Sequence, residues 1–253
     1  MTHAADGADA GAHAQPLSGW ATTGWGLVAL AAWVGSEMTV LLTYVVRFII
    51  LNPGSAPDVD QIVHNGFLLA IATIVAMAAQ TALVALALRR RHRSVARYLC
   101  LIRIPRTREI LLWSLCLALI LAASDLLSRA LGEPLIPPFM AKIYQGARDP
   151  GTIALLLIAL LVTAPIGEEI LFRGFLFRGW AASKLGVAGT ILLTSTLWAS
   201  IHLQYDWFGI AQVFSLGLLF GVARWRSGST VLTILMHCSC NLIATIETAL
   251  IIR

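Results

Sequence analysis

Three short motifs place polar side chains four residues apart inside apolar stretches of the sequence. They are Glu168-Glu169-x-x-x-Arg173, Trp198-x-x-x-His202 and His237-x-x-x-Asn241. Residues four apart lie on the same face of an α-helix. Each motif is therefore expected to direct two of its groups towards one neighbouring surface. There such groups could perform acid–base chemistry and stabilise a developing negative charge.

The two adjacent carboxylates of the first motif are expected to have different tasks. Glu169 and Arg173 have the spacing of a helical ion pair. Glu168 points about 100° away from Glu169 on a helix and has no cation nearby in sequence. A carboxylate without a cationic partner in apolar surroundings is suited to act as a general base. Glu169 would then have a structural role, and Glu168 would be free to act in catalysis.

The other two motifs offer groups that orient and donate. The Trp198 ring could orient His202, while neutral His237 and Asn241 could both donate hydrogen bonds to an oxyanion. Each motif alone also has a structural interpretation, because such polar groups can simply bond neighbouring membrane helices. Glu168, His202 and His237 could instead be metal ligands. The sequence contains no H-E-x-x-H, the signature of many helical zinc peptidases.

The composition predicts a membrane protein. Hydrophobic residues make up 58% of the 253 residues and charged residues 12%, whereas a soluble domain is typically about 25% charged. Several apolar runs approach or exceed the ~20 residues that span a bilayer as a helix. We predict an all-α, polytopic membrane helical bundle of about seven transmembrane helices. Their expected bounds are 20–51, 66–88, 110–131, 152–178, 187–202, 208–224 and 229–252.

The chain is expected to have three parts. Residues 1–19 lack the basic region of a signal peptide and are expected to form a disordered tail. Residues 20–149 would hold the N-terminal transmembrane helices. The first of these is over-long and contains Glu37 and three glycines, so it could be broken or strongly tilted. Residues 150–253 would form the membrane domain that carries all three motifs.

Basic residues gather at one end of the predicted bundle. Alternation of the helices puts residues 89–109, 173–184 and 224–226 on one side, and these hold 13 of the 18 Lys and Arg residues. Because Lys and Arg accumulate in cytoplasmic loops, we predict a cytoplasmic N-terminus. The Arg-rich loop 89–109 is expected to contact membrane lipids and not nucleic acid. Asp125 and Arg129 are spaced to form a further ion pair.

Helix counting gives approximate depths for the candidate groups. At ~1.5 Å per residue, Glu168, His237 and Asn241 would lie roughly 12–18 Å above the inner surface. His202 would lie near ~24 Å, or several ångströms lower if residues 179–189 follow the membrane surface. The four groups are therefore expected to meet in one polar cavity, with His202 as the least good fit.

In this order, the three motifs resemble those of the CAAX-protease and bacteriocin-processing family. That family includes the Ras-converting prenyl-protein peptidases and the bacterial Abi proteins. The resemblance covers about residues 150–245 and does not extend to the first three helices. The family's second motif usually begins with Phe, where this sequence has Trp198.

The resemblance implies a role for each motif residue. Glu168 would activate water, His202 would help to bind that water, and His237 and Asn241 would stabilise the oxyanion. Three further residues would organise the site, namely Glu169, Arg173 and Trp198. The implied function is an intramembrane endopeptidase similar to CAAX prenyl protease 2. It would cleave membrane-associated peptides or protein C-terminal tails, with or without a lipid modification, in a bacterial inner membrane.

No cofactor is expected, because histidine and asparagine donors can stabilise an oxyanion without a Lewis acid; Zn²⁺ is the alternative. A second class of function also fits the sequence. The protein could be a non-catalytic membrane scaffold or immunity protein, or a small proton-coupled transporter. In those cases the same buried charges would serve helix packing or proton coupling.

Overall fold

The computed structural model describes residues 15–147 and 149–251, and this part of the chain is helical and contains no strand. The helices are α1 (Gly19–Leu51), α2 (Val59–Val63), α3 (Gly66–Arg90), α4 (Val95–Tyr98), α5 (Thr107–Leu131), α6 (Pro138–Gly146), α7 (Pro150–Ala181), α8 (Gly186–Ser200), α9 (Trp207–Ser227) and α10 (Thr230–Ile251). Six of these are long and apolar enough to cross a membrane, namely α1, α3, α5, α7, α9 and α10. The predicted membrane bundle is confirmed. Its seventh apolar helix, α8, has 15 residues and is shorter than a full span.

The chain enters the bundle before its first helix begins. Residues 1–14 of the expected N-terminal tail lie outside the described residues. Leu17 is buried, and its backbone N–H donates to the Tyr98 hydroxyl at 3.2 Å. Ser18 caps α1, because its hydroxyl accepts a hydrogen bond from the backbone N–H of Ala21. The last residues of the segment assigned to the tail are therefore packed against the protein.

Helix α1 is continuous over 33 residues. The break that the sequence allowed is absent, and α1 packs mainly along α3. Gly26 lets α1 approach α7, since a Cβ at this position would lie 2.5 Å from the Leu176 Cδ2 atom. Small residues permit such close helix contacts inside membranes, where packing drives association.

Helix α7 carries the Glu-Glu motif and changes its winding twice. The segments Ala159–Thr163 and Ile170–Leu176 are π-helical and flank the α-helical segment Ala164–Glu169. π-Helical turns are rare and frequently occur at functional sites. Because the winding departs from 3.6 residues per turn, helical-wheel geometry over the whole of α7 does not place its side chains correctly.

Side chains of three neighbouring helices bond to backbone carbonyls of α7. Their donors and acceptors are Gln80 Nε2 to Gly167 O at 2.7 Å, Asn241 Nδ2 to Leu160 O at 2.8 Å, and Arg224 Nε to Arg173 O at 2.9 Å. These bonds tie α3, α10 and α9 to α7. They fix α7 at the centre of the bundle by polar contacts, which are favourable where no water is present.

The loops predicted to share one side meet at one end of the bundle. Arg178, near the end of α7, donates to the carbonyl of Tyr98 at 3.2 Å. Ser229, in the turn after α9, donates through its hydroxyl to the carbonyl of Arg103. Two of the basic residues counted for this side, Arg173 and Arg224, are buried and are therefore not surface charges.

An ion pair joins two connections at the opposite end. Lys142 on α6 lies 3.1 Å from Asp60 on α2. The hydrogen bond from the Lys142 ammonium holds the pKa of Asp60 below its usual value. This exposed pair links the segments that precede α3 and α7.

Candidate active site in the helical bundle

A cavity of about 470 Å³ inside the bundle brings the three motifs together. Five motif residues line it, namely Glu168, Trp198, His202, His237 and Asn241. They come from α7, α8, the turn after α8, and α10. Most other lining residues are apolar and belong to α1, α3, α5, α9 and the segment 135–140. The predicted meeting of the three motifs in one cavity is therefore found in the structure.

The Glu168 carboxylate is buried and bonded to an indole. Its Oε2 atom accepts a hydrogen bond of 2.5 Å from Trp198 Nε1. Only 7% of Glu168 and 3% of Trp198 are exposed. Within residues 15–147 and 149–251, no other protein group is hydrogen-bonded to Glu168. The carboxylate thus has no ion pair, as the sequence predicted, but it does have a neutral donor.

The predicted ion pair between Glu169 and Arg173 is confirmed. Arg173 Nη1 lies 2.9 Å from Glu169 Oε1, and neither side chain is exposed. The guanidinium of Arg173 also lies over the Trp198 ring, 4.5 Å from its centroid. A cation at this position favours the negative face of the indole. The ion pair is therefore packed directly against the tryptophan that contacts Glu168.

His237 bonds to the structural carboxylate and not to Glu168. Its Nδ1 atom lies 3.1 Å from Glu169 Oε1, the oxygen that also pairs with Arg173. Because an ionised carboxylate only accepts, Nδ1 must carry the proton. Neutral His237 then has a lone pair at Nε2, and it can donate from Nε2 only as an imidazolium.

His202 lies beyond the end of its helix. Helix α8 stops at Ser200, and His202 Nδ1 lies 2.7 Å from the carbonyl oxygen of Trp198. Since a carbonyl only accepts, Nδ1 carries the proton and Nε2 is left with a lone pair in the neutral ring. The Trp198 ring contacts the imidazole edge to face, with ring centroids 5.4 Å apart. Helix counting made His202 the least good fit to a shared cavity. In the structure, the turn after α8 places His202 in the cavity wall.

Asn241 reaches the first π-helical segment of α7. Its Nδ2 donates to the carbonyl of Leu160 at 2.8 Å. An amide nitrogen has two hydrogens, so one donor remains after this bond is made. The bond fixes the side chain beside the cavity and leaves the second N–H as the group that could reach a substrate.

Helix α1 and the turn after α8 add polar groups to the cavity that were not predicted from sequence. Glu37, on α1, lines the cavity and accepts a hydrogen bond of 2.8 Å from Trp33 Nε1. Tyr205 lines it too and stacks on His202 at 5.9 Å. Burial raises the pKa of Tyr205 to about 12, so its hydroxyl stays neutral at physiological pH. The signal for Glu37 was present, since a carboxylate inside an apolar helix marks a functional candidate.

Two further carboxylates line the cavity, and the position of one of them differs from the sequence-based prediction. Asp125 and Glu247 both lie in its wall. The predicted ion pair between Asp125 and Arg129 is wrong, because within the described part of the chain no ion pair forms between them. Asp125 instead points to the cavity side of α5.

The alternative metal set does not form a ready binding site. In the described ranges, no group of three His, Cys, Asp or Glu side chains lies close enough together to hold a metal ion. Glu168, His202 and His237 therefore share the cavity without converging on one point. Their present arrangement does not fit a three-ligand zinc site.

Comparisons with known proteins support a family assignment for the C-terminal part of the chain. Residues 150–243 match the family model described as type II CAAX prenyl endopeptidase Rce1-like. An Escherichia coli protein of 24.3 kDa, described as uncharacterized, is 35% identical over 125 residues. That alignment covers 48% of this chain and 56% of the E. coli protein. No solved structure gives a significant match. Over residues 150–243, which carry the three motifs, this chain is similar to the type II CAAX prenyl endopeptidases of the Rce1-like family.

Proposed function

We propose that this protein is an intramembrane endopeptidase that hydrolyses peptide bonds with water activated by Glu168. The observation that carries the proposal is the cavity lined by Glu168, His202, His237 and Asn241 inside the membrane bundle. Amide hydrolysis needs an activated water, a stabilised oxyanion and a proton for the leaving amine. The cavity holds groups suited to each of these tasks.

Water activation uses Glu168 and His202. Trp198 occupies Oε2 of Glu168, so the other oxygen is left to take a proton from water. His202 Nε2 has a lone pair in the neutral ring and can accept the second hydrogen of the same water. The oxygen of that water attacks the carbonyl carbon of the scissile bond as its proton moves to Glu168.

Collapse of the tetrahedral intermediate returns that proton. The oxyanion would accept hydrogen bonds from the remaining N–H of Asn241 and from Nε2 of protonated His237. The Glu169 carboxylate accepts a hydrogen bond from Nδ1 of His237 and so orients the imidazole. As the C–N bond breaks, Glu168 gives its proton to the leaving nitrogen, and the products are one carboxylic acid and one amine.

The proposed substrates are membrane-associated peptides or protein C-terminal tails. The cavity walls are mainly apolar, which suits an extended peptide with apolar side chains or an attached lipid. The matched family model is named for CAAX prenyl endopeptidases, so prenylated C-terminal peptides are the first substrates to test.

The experiment compares cleavage of a membrane-peptide library by wild type and Glu168→Gln in nanodiscs, with and without a chelator. Glutamine keeps the shape of the side chain and cannot act as a base, so we expect at least ~100-fold loss of cleavage. Glu133→Gln is the matched control, because Glu133 lies outside the cavity.

Each outcome separates one mechanism from another. Loss of cleavage in Glu168→Gln, with no effect of chelator on wild type, supports the proposal. Chelator-sensitive cleavage would assign the activation of water to a bound metal. Unchanged cleavage in Glu168→Gln would exclude Glu168 as the base and leave the cavity with a packing or transport role.

A further inference from the structure

The indole of Trp198 is the one protein donor to the Glu168 carboxylate in residues 15–147 and 149–251. Its bond to Oε2 is 2.5 Å long and lies in a buried setting. An indole N–H only donates, so this contact cannot reverse its direction. One of the two carboxylate oxygens is thus engaged by the indole, and this bond restricts the rotation of the carboxylate.

The ring of Trp198 is itself held from several sides. It meets the imidazoles of His202 and His237 edge to face, at 5.4 and 5.2 Å. Phe220 packs at 5.7 Å, and the Arg173 guanidinium lies 4.5 Å from the ring centroid. A ring packed in this way cannot rotate without moving the catalytic candidates. The donor is therefore preorganised, as catalytic groups on rigid supports must be.

A phenylalanine at this position would preserve the packing and remove the donor. We propose that Trp198 is a positioning residue that orients Glu168 and directs its other oxygen towards the attacking water. This inference rests on the proposed function and adds to it a residue that orients the general base.

The test compares kcat and KM for wild type, Trp198→Phe and Trp180→Phe on a peptide cleaved by wild type. Trp180 is a matched control, because its buried indole donates to Thr23 Oγ1 at 3.0 Å and lies outside the cavity. We expect Trp198→Phe to lower kcat by about ten- to a hundredfold, the effect of losing a hydrogen bond to a charged group. KM should stay within about twofold, because the indole acts through Glu168 and not on the substrate. Trp180→Phe should keep the wild-type kcat.

A second variant separates the donor from the shape of the ring. Benzothienylalanine at position 198 keeps a bicyclic ring and replaces the N–H by sulfur. It should lower kcat as Trp198→Phe does. Wild-type kcat in this variant would overturn the inference, because the ring alone would then suffice. A rise in KM without a fall in kcat would also overturn it.

Failure of the two proposals gives different results. If wild type cleaves nothing, the endopeptidase function and this inference both fall. If wild type is active and Glu168→Gln is inactive, but both Trp198 variants are fully active, only the positioning role is rejected.

Discussion

A single oxygen of Glu169 receives both Arg173 and His237, at 2.9 and 3.1 Å. The charge of this carboxylate is thus shared between a structural pair and a proposed catalytic histidine. The Glu169–Arg173 pair could be predicted from sequence, because i, i+4 spacing is a local property of a helix. The bond to His237 could not, because it depends on how α10 packs against α7.

Removing one member of the buried Glu169–Arg173 ion pair should destabilise the protein. We expect Arg173→Met to lower the free energy of unfolding in detergent by about 3–5 kcal/mol, because Glu169 would remain as an uncompensated buried charge. The double variant Glu169→Gln with Arg173→Met should recover part of this loss, since it removes the orphaned charge.

The control for this prediction is a partly exposed pair. Arg103 and Glu109 lie 2.8 Å apart with 37% and 24% of their side chains exposed. Arg103→Met should therefore cost only about 0–1 kcal/mol. Equal losses for the Arg173 and Arg103 variants would contradict the importance assigned to burial.

Tyr205 gives the stability of the protein a dependence on alkaline pH. Burial raises its pKa to about 12 from an ordinary 10.0. The unfolded chain therefore loses this proton first, so the stabilising effect is complete below pH 10.0 and is lost as pH rises towards 12. Tyr205→Phe should flatten the fall of melting temperature over this interval. An identical slope in the variant would assign the fall to other groups.

At the scale of the helix, the position of Glu168 depends on the glycine before it. Gly167 lies against α3, where an added Cβ would be 2.5 Å from Met77 Sδ and 2.9 Å from Met77 Cβ. We expect Gly167→Ala to lower the free energy of unfolding by about 1–3 kcal/mol through overpacking. It should also lower cleavage, because the shift of α7 moves the adjacent carboxylate.

Gly35→Ala is the comparison for that experiment. Nothing lies within 4 Å of a Cβ at Gly35, and the residue is in the middle of α1. Alanine is a better helix former than glycine by up to about 1 kcal/mol, so this change should be neutral or stabilising. Destabilisation of both variants to the same extent would mean that the contact with Met77 is not the cause.

The elements of the bundle were predictable because apolar runs and their breakers are local signals. The sequence-based bounds of α3 and α10 differ from the structure by no more than two residues. The winding of α7 was not predicted from sequence, because Ala159–Thr163 belongs to an apolar run and Ile170–Leu176 interrupts one only with Arg173 and Gly174. The bond between Trp198 and Glu168 could not be predicted either, because it depends on how α7 is rotated about its axis relative to α8.

At the scale of the whole molecule, contacts between loops divide the bundle into two ends. Arg178 joins α4 to the end of α7, whereas Lys142 joins α6 to α2. One membrane-spanning helix, α5, connects α4 at the first end to α6 at the second end. The pattern of basic residues predicted this division, although it counted two buried arginines as surface charges.

The orientation of these ends can be tested by labelling single cysteines in a cysteine-free background. In right-side-out cells, a membrane-impermeant maleimide should label Lys142→Cys and leave Arg91→Cys unmodified. Inverted vesicles should give the opposite result. Labelling of both positions from the same side would contradict the arrangement of α5 between them.

Helix α1 is longer than the membrane it would cross. Its 33 residues extend roughly 50 Å, against about 30 Å of hydrocarbon. Its apolar side chains continue to Leu51, so the excess must be accommodated by tilting or by local thickening of the bilayer. Trp33 and Glu37 of α1 form part of the cavity wall, so a change in the tilt of α1 would change the width of the cavity. We therefore expect thinner and thicker bilayers to give this cavity different openings.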